Sequence, residues 1–180
     1  RRIAFLRSRH GTDPVNCLWV VDAATGEERL VADPHALLSG RDEALPPEEL
    51  ARRERAREAA SGITSFATDA ATTVAAFAIA GRLFVAGLIS GSSRELPVAG
   101  PVFDPRPDPR AQHVAYVSGR LLCLAELDGT WRVIAGGEDD EPQEITWGSA
   151  DFIAAEEMGR FRGYWWSPDG RSLAVTRVDT

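Results

Sequence analysis

Short strand-like runs of about four to eight residues, each closed by a turn signal, fill most of this chain and leave few folds open to it. Residues 3–6, 18–21 and 28–31 form a first group, with Ala24-Thr25-Gly26 turning between the last two. Residues 113–117, 121–124 and 131–134 repeat the plan, with turns at Ser118-Gly119 and Asp128-Gly129. Asp-Gly is a strong hairpin signal, because tight hairpin turns need residues that tolerate positive φ. Between these groups lie runs at 63–68, 74–79, 83–88 and 95–98, and the runs at 164–166 and 172–175, around Ser167-Pro168-Asp169-Gly170, open a further group. A triplet of the kind Ile3-Ala4-Phe5, Val114-Ala115-Tyr116 or Leu173-Ala174-Val175 recurs near the start of these groups. Groups of about four antiparallel strands, recurring at about 40–50 residues, are the mark of β-propeller blades. A β-sandwich is the alternative. The expectation is an all-β fold, a partial β-propeller of about three to four blades of a larger ring with short helical insertions.

That count raises a physical difficulty. Propellers close with typically about 4–8 blades, and an open arc leaves strand edges bare. The sequence starts at Arg1 without Met and stops inside the run 173–180. We therefore read residues 1–180 as one excised piece of a longer polypeptide, and bare edges leave self-association into a homo-oligomer open.

Composition narrows the partners. The chain has 180 residues, 44% hydrophobic, with 27 acidic side chains against 20 basic ones, all Arg, for a net charge of -7. This is the profile of a soluble globular domain with a real core. The acidic balance and lack of a basic face argue against a nucleic-acid partner. No apolar run approaches the roughly 20 residues that span a bilayer, so no membrane partner is expected. Cys17 and Cys123 stand alone in apolar runs without a C-x-x-C pattern, which argues for two free buried thiols and against zinc. No metal and no cofactor are expected. Nothing argues for an oxidising compartment, so a cytoplasmic location is favoured.

Residues 46–60 predict a helix: Pro46 and Pro47 at its start, Glu48 and Glu49 in the first turn, Arg toward the end, and Ser61-Gly62 as the stop. It reads as a solvated excursion. The acidic stretch Glu138-Asp139-Asp140-Glu141 lacks the spaced ligands of a calcium loop and reads as a solvated turn. No complete nucleophile elbow is present, Gly91-Ser92-Ser93-Arg94-Glu95 lacking the closing Gly. His10, His35 and His113 are scattered, the first two in turns and the third opening an apolar strand. No catalytic residue is assigned.

One segment stands apart. Residues 151–170 carry a short helix-like stretch with Glu156 and Glu157 at its centre, followed by Tyr164-Trp165-Trp166-Ser167-Pro168-Asp169-Gly170. A Glu-Glu pair alone is commonplace on an exposed helix. The whole segment, however, resembles the dipeptidyl peptidase IV branch of the prolyl oligopeptidase family of serine peptidases, whose propeller carries a Glu-Glu pair just ahead of a Trp-Trp-Ser-Pro turn. A weaker likeness links residues 55–63 to the helical insertion of bacterial members. The resemblance implies that Glu156 and Glu157 bind the free α-amino group of a peptide substrate. It also implies that residues 1–180 belong to the N-terminal propeller, and that an α/β-hydrolase domain of the same polypeptide, absent here, supplies the Ser-Asp-His triad. In that family, N-terminal dipeptides are released with Pro or Ala at the second position, and an Arg from another propeller loop holds the substrate carbonyl region. No Arg lies in 74–79, where it would be sought, and Arg160 and Arg162 sit in a different element.

The physical logic of the pair is general. Two like charges held close repel until a cation arrives between them. An α-ammonium is such a cation, and it brings three donors for charge-assisted hydrogen bonds. On this reading the chain is the substrate-recognition and gating part of a peptidase, unable to cleave alone. The competing reading is a propeller scaffold for protein–protein interaction, with the Glu pair incidental.

Overall fold

The computed structural model describes residues 1–39, 49, 50, 54, 61–138 and 140–179. Three four-stranded sheets dominate it, the second and third of them antiparallel meanders throughout. The first holds β1 (Arg2–Ser8), β2 (Val15–Asp22) and β3 (Glu28–Ala32), with β4 (Ser61–Gly62) added parallel to the start of β2. The second runs β5 (Ala67–Thr68), β6 (Val74–Ile79), β7 (Arg82–Gly87), β8 (Ser93–Leu96). The third runs β9 (Phe103–Pro107), β10 (His113–Ser118), β11 (Leu121–Glu126), β12 (Trp131–Ala135). Apart from β4, each of these strands pairs with its neighbour in sequence, which is how a propeller blade is built. Helix α1 (Pro34–Leu38) starts on Asp33, whose side chain accepts from the His35 amide at 3.0 Å. The expected helix at 46–60 lies outside the described residues apart from Glu49, Leu50 and Glu54, which are helical.

Burial explains why the central strands read as continuous apolar runs rather than alternating ones. In β6, Ala75, Phe77 and Ile79 face the first blade, while Ala76 packs with the third. In β10, Val114 and Tyr116 face the second blade, and Ala115 and Val117 face the segment after it. The described residues thus form three cores, one in each cleft between successive sheets, and both faces of the inner sheets are covered. Phe77 and Phe84 stack at 5.8 Å across β6 and β7; each such ring buried contributes about 1.5–3 kcal/mol. Cys17 and Cys123 are buried free thiols in two of these strands, and burial pushes the Cys17 thiol up to about 11.

The first strand of the third blade departs from the sequence reading. The run at 103–107, Phe-Asp-Pro-Arg-Pro, contains two prolines and was not expected as a strand. It is tolerated because β9 pairs only with β10 and its other edge is unpaired, so the missing amides break no ladder. The acidic turn is corrected too. Glu141 is not solvated: its side chain is 10% exposed, and it accepts from Trp147 Nε1 at 2.6 Å and from the Gly137 amide at 3.2 Å.

The last group is assembled differently. Strands β13 (Ile145–Trp147) and β14 (Tyr164–Trp166) run beside one nearly continuous partner, β15 (Leu173–Val175) followed by β16 (Arg177–Asp179). Ile145 faces Asp179 and Trp147 faces Arg177; Tyr164 then faces Val175 and Trp166 faces Leu173. Residues 148–163 are therefore an excursion from within one strand. Helix α2 (Phe152–Glu157) rides on it. Among the described residues no helix is long and apolar enough to cross a membrane.

Candidate functional site

The excursion is closed at a narrow neck. A Cβ on Gly163 would lie 2.4 Å from the backbone C and O of Gly148 and from the Ser149 carbonyl, so only glycine lets the two limbs touch. Thr176, between β15 and β16, clasps both limbs. Its hydroxyl lies 2.8 Å from the Ser149 carbonyl and 3.0 Å from that of Gly163, while its amide donates to Gly163 O at 2.8 Å and its carbonyl accepts from Gly148 N at 3.0 Å. An isolated bridge between Ser149 and Arg162 extends the pairing one step outward.

Beyond the neck, Asp151 caps α2. Its carboxylate accepts from the Ala154 amide at 2.8 Å and ion-pairs with Arg160 at 3.2 Å. Those contacts, the Ala154 amide first, hold the Asp151 carboxyl below the usual carboxylate range. Ala154 and Ala155 are the buried face of α2. Glu156 and Glu157 occupy its last turn and are both exposed. As consecutive helical residues, their side chains leave the axis about 100° apart. Phe152, Ile153 and Met158 are also exposed, at 68%, 59% and 74%.

A cavity of about 500 Å³ opens directly after the Glu pair. Met158, Arg160, Arg162 and Trp165 form one wall, from the returning limb and β14. Phe103, Asp104 and Arg106, from β9, form the other. The aromatic strand fixes that second wall. The Tyr164 hydroxyl donates to the carbonyl oxygens of Asp104 and, at 2.9 Å, Ala115; Trp166 Nε1 donates to Arg106 O at 3.2 Å. Tyr164 is fully buried, and that burial raises its phenol far above the ordinary tyrosine range, so the hydroxyl stays a donor. The aromatic residues of the motif thus tie the excursion to the third blade.

Strand β9 bulges at this point: between Phe103 and Arg106 it has one more residue than β10 has between Val117 and Ala115. Asp104 takes a positive φ of 45° there, a conformation Asp tolerates better than most residues. Bulges of this kind re-aim side chains. Here Asp104 and Arg106 meet in a two-pronged pair, with Nη2–Oδ1 at 2.7 Å and Nε–Oδ2 at 3.1 Å.

Arg162 completes the wall. Its Nε donates to Tyr164 O at 2.7 Å, and its guanidinium lies 5.6 Å from the Trp165 ring. Burial, and then the charge of Arg106, lower the Arg162 pKa. Arg160 donates to Arg162 O at 2.8 Å and stands 6.0 Å from the same Trp165 ring.

The cavity is shared by two parts of the chain, and its lining begins at Met158, the residue that follows the Glu pair in sequence; neither Glu156 nor Glu157 lines it. Arg106 was missed in the sequence because it sits between Pro105 and Pro107; the unpaired-edge rule for proline-containing strands was the available signal. His10 and His35 are exposed, and neither lines the cavity. His113 instead joins the Asp108 carboxylate at 3.1 Å and that of Glu126 at 3.3 Å. No cluster of three or more metal-ligating side chains occurs among the described residues.

Comparison with known proteins agrees with this architecture. A crystal structure of Porphyromonas gingivalis dipeptidyl peptidase 4 superposes with a TM-score of 0.58 at 17% identity, over 98% of this chain and 24% of that one. The chain therefore spans about a quarter of that relative's length, and the likeness shows the fold, an all-β partial propeller. A family model described as the dipeptidyl peptidase IV (DPP IV) N-terminal region matches residues 77–180, which contain the third blade, the excursion and the aromatic strand. The chain belongs to the dipeptidyl peptidase IV N-terminal region family.

Proposed function

We propose that residues 1–180 are part of the substrate-recognition propeller of a serine-type dipeptidyl peptidase, in which Glu156 and Glu157 hold the α-ammonium of a peptide's first residue. Arg106 is the second contact, donating to the carbonyl region of the same residue. Cleavage belongs to an α/β-hydrolase domain of the same polypeptide, and the peptide bond cut follows the second residue, with Pro or Ala there. The observation that supports this reading is that the chain leaving the Glu pair, at Met158, lines a cavity that Arg106 lines from a separate blade.

Each part has a physical task. The excursion is held at its neck by Thr176 and Gly163, which gives the carboxylates a fixed position. A fixed anchor at the amine sets the distance to the reacting carbonyl, and so the number of residues removed. The Asp104 carboxylate orients the Arg106 guanidinium before substrate arrives.

The test uses the full-length protein and a chromogenic Xaa-Pro substrate. Glu156→Ala or Glu157→Ala lowers kcat/KM by about 30-fold to several thousand-fold, the equivalent of about 2–5 kcal/mol for one partner of a desolvated charge pair. Acetylating the substrate amine does the same to the wild type. Activity that survives both changes removes the anchoring role. It would favour the scaffold reading, for which the exposed Phe152, Ile153 and Met158 beside the Glu pair offer a docking surface.

A further inference from the structure

The charges lining the cavity do not cancel. Arg106 is paired with Asp104 at 2.7 Å, and Arg160 with Asp151 at 3.2 Å. Arg162 has no carboxylate within ion-pair distance among the described residues: its Nε is used by Tyr164 O, and its terminal nitrogens find no acceptor. It is half-buried, with its guanidinium 5.6 Å from the Trp165 ring, and it shares the cavity lining with Arg106 and Arg160. A cation in such a place is stabilised by an anion that arrives with two oxygens in one plane, because the guanidinium fork matches a carboxylate.

We propose that this cavity receives the acidic side chain of the substrate's first residue, so that the protein selects peptides beginning with Glu or Asp. The inference rests on the amine-anchoring reading above. If Glu156 and Glu157 fix the α-ammonium, the side chain of that same residue has the adjoining cavity to enter, whose lining starts at Met158 and includes Arg162. Phe103 and Trp165 cover its aliphatic stem. A volume of about 500 Å³ holds such a side chain with room to spare. The Glu pair itself repels an anion that comes alone. An anion therefore enters only when tied to a cation that neutralises the pair, and the first residue of an acidic peptide carries both charges.

The experiment compares Glu-Pro and Gln-Pro chromogenic substrates, free and N-acetylated, on the full-length protein. The two side chains differ in charge at nearly equal size. The free Glu-Pro substrate is expected to have a kcat/KM about tenfold to a hundredfold above Gln-Pro, the scale of one charge-assisted pair. That ratio should shrink with added salt. In Arg162→Gln it should collapse toward one, and Arg162→Lys should restore part of it. Glutarate, an anion without an amine, should not compete at millimolar concentration. A wild-type ratio near one, or a ratio unchanged in Arg162→Gln, overturns the acidic-side-chain site. The salt dependence of the wild type keeps the test valid should the variants fail to fold. If acetylation abolishes hydrolysis of Gln-Pro while the Glu/Gln ratio is one, the amine anchor stands and only this inference falls. If acetylation has no effect on either substrate, the anchor falls and takes this inference with it.

Discussion

The turn at Asp108 and the excursion at 148–163 both put acidic side chains beside sheets of the same kind, and they use them in opposite ways. Asp108 is 1% exposed, and its carboxylate accepts from the amides of Arg110 at 2.6 Å, Gln112 at 3.0 Å and His113 at 2.5 Å. Asp69, 5% exposed, does the same in the blade before it, with the amides of Ala71, Thr73 and Val74 and the Thr73 hydroxyl. In the last group, Ser167 takes over that place, its hydroxyl accepting from Ser172 N at 3.0 Å and donating to Asp169. Those side chains are consumed by the backbone of a tight turn. Glu156 and Glu157 are exposed at the end of a helix that a separate carboxylate, Asp151, already caps. Buried acid that satisfies amides holds the turns of a blade, whereas the Glu pair stands exposed at the end of a helix on a projection from the sheet.

The largest expected break in this comparison is Asp108→Ala. It leaves three part-buried amides without their acceptor, at about 1–3 kcal/mol each where water cannot replace it. We expect a loss of at least about 3 kcal/mol in urea unfolding of the full-length protein, whereas Glu157→Ala should leave the midpoint within about 0.5 kcal/mol. Equal costs for the two would erase the distinction. Next comes Gly163→Ala. Its Cβ meets backbone atoms at 2.4 Å, so the neck must open, at a cost of about 2 kcal/mol and with faster proteolysis or amide exchange across 148–163.

Thr176→Val keeps the shape and removes the clasp. A stability loss of about 1 kcal/mol is expected, with exchange rising in the excursion and not in β10 or β11. The smallest effect is that of pH on Asp151. Its folded pKa lies below the ordinary value of 3.8, so its stabilisation is complete above that value and is lost as pH falls through the lowered one. Tryptophan emission, with Trp165 beside the Asp151–Arg160 pair, should change over that acid range in the wild type and lose this component in Asp151→Asn. An unchanged transition would detach Asp151 from the site.

Much of the fold was legible because blade strands are short, local and bounded by turns. The runs at 74–79, 83–88, 113–117 and 121–124 all fall on observed strands, since burial on both faces favours unbroken apolar stretches. Strand β9 was not legible, because Pro105 and Pro107 are read as strand breakers unless one knows that an edge is free. The split strand of the last group was hidden for another reason: the pairing of 145–147 with 177–179 is nonlocal, and no spacing rule connects them. Glu141 was misread for the same cause, its partners Trp147 and Arg120 lying outside its own turn.

The site divides along the same line. The Glu pair and the aromatic strand form one contiguous segment and could be singled out directly. Arg106 is distant in sequence and comes to the cavity only through Tyr164 and Trp166, whose hydrogen bonds land on Asp104 and Arg106.

The most direct measurement of the central claim is a cycle between the substrate amine and the Glu pair. The full-length wild type and a Glu156→Ala, Glu157→Ala double variant are each assayed on a Pro substrate with its α-amine and on the analogue in which hydrogen replaces that amine. The wild type should prefer the amine by at least about 30-fold, and the double variant should lose that preference. A double variant that still prefers the amine by the wild-type factor would contradict the account.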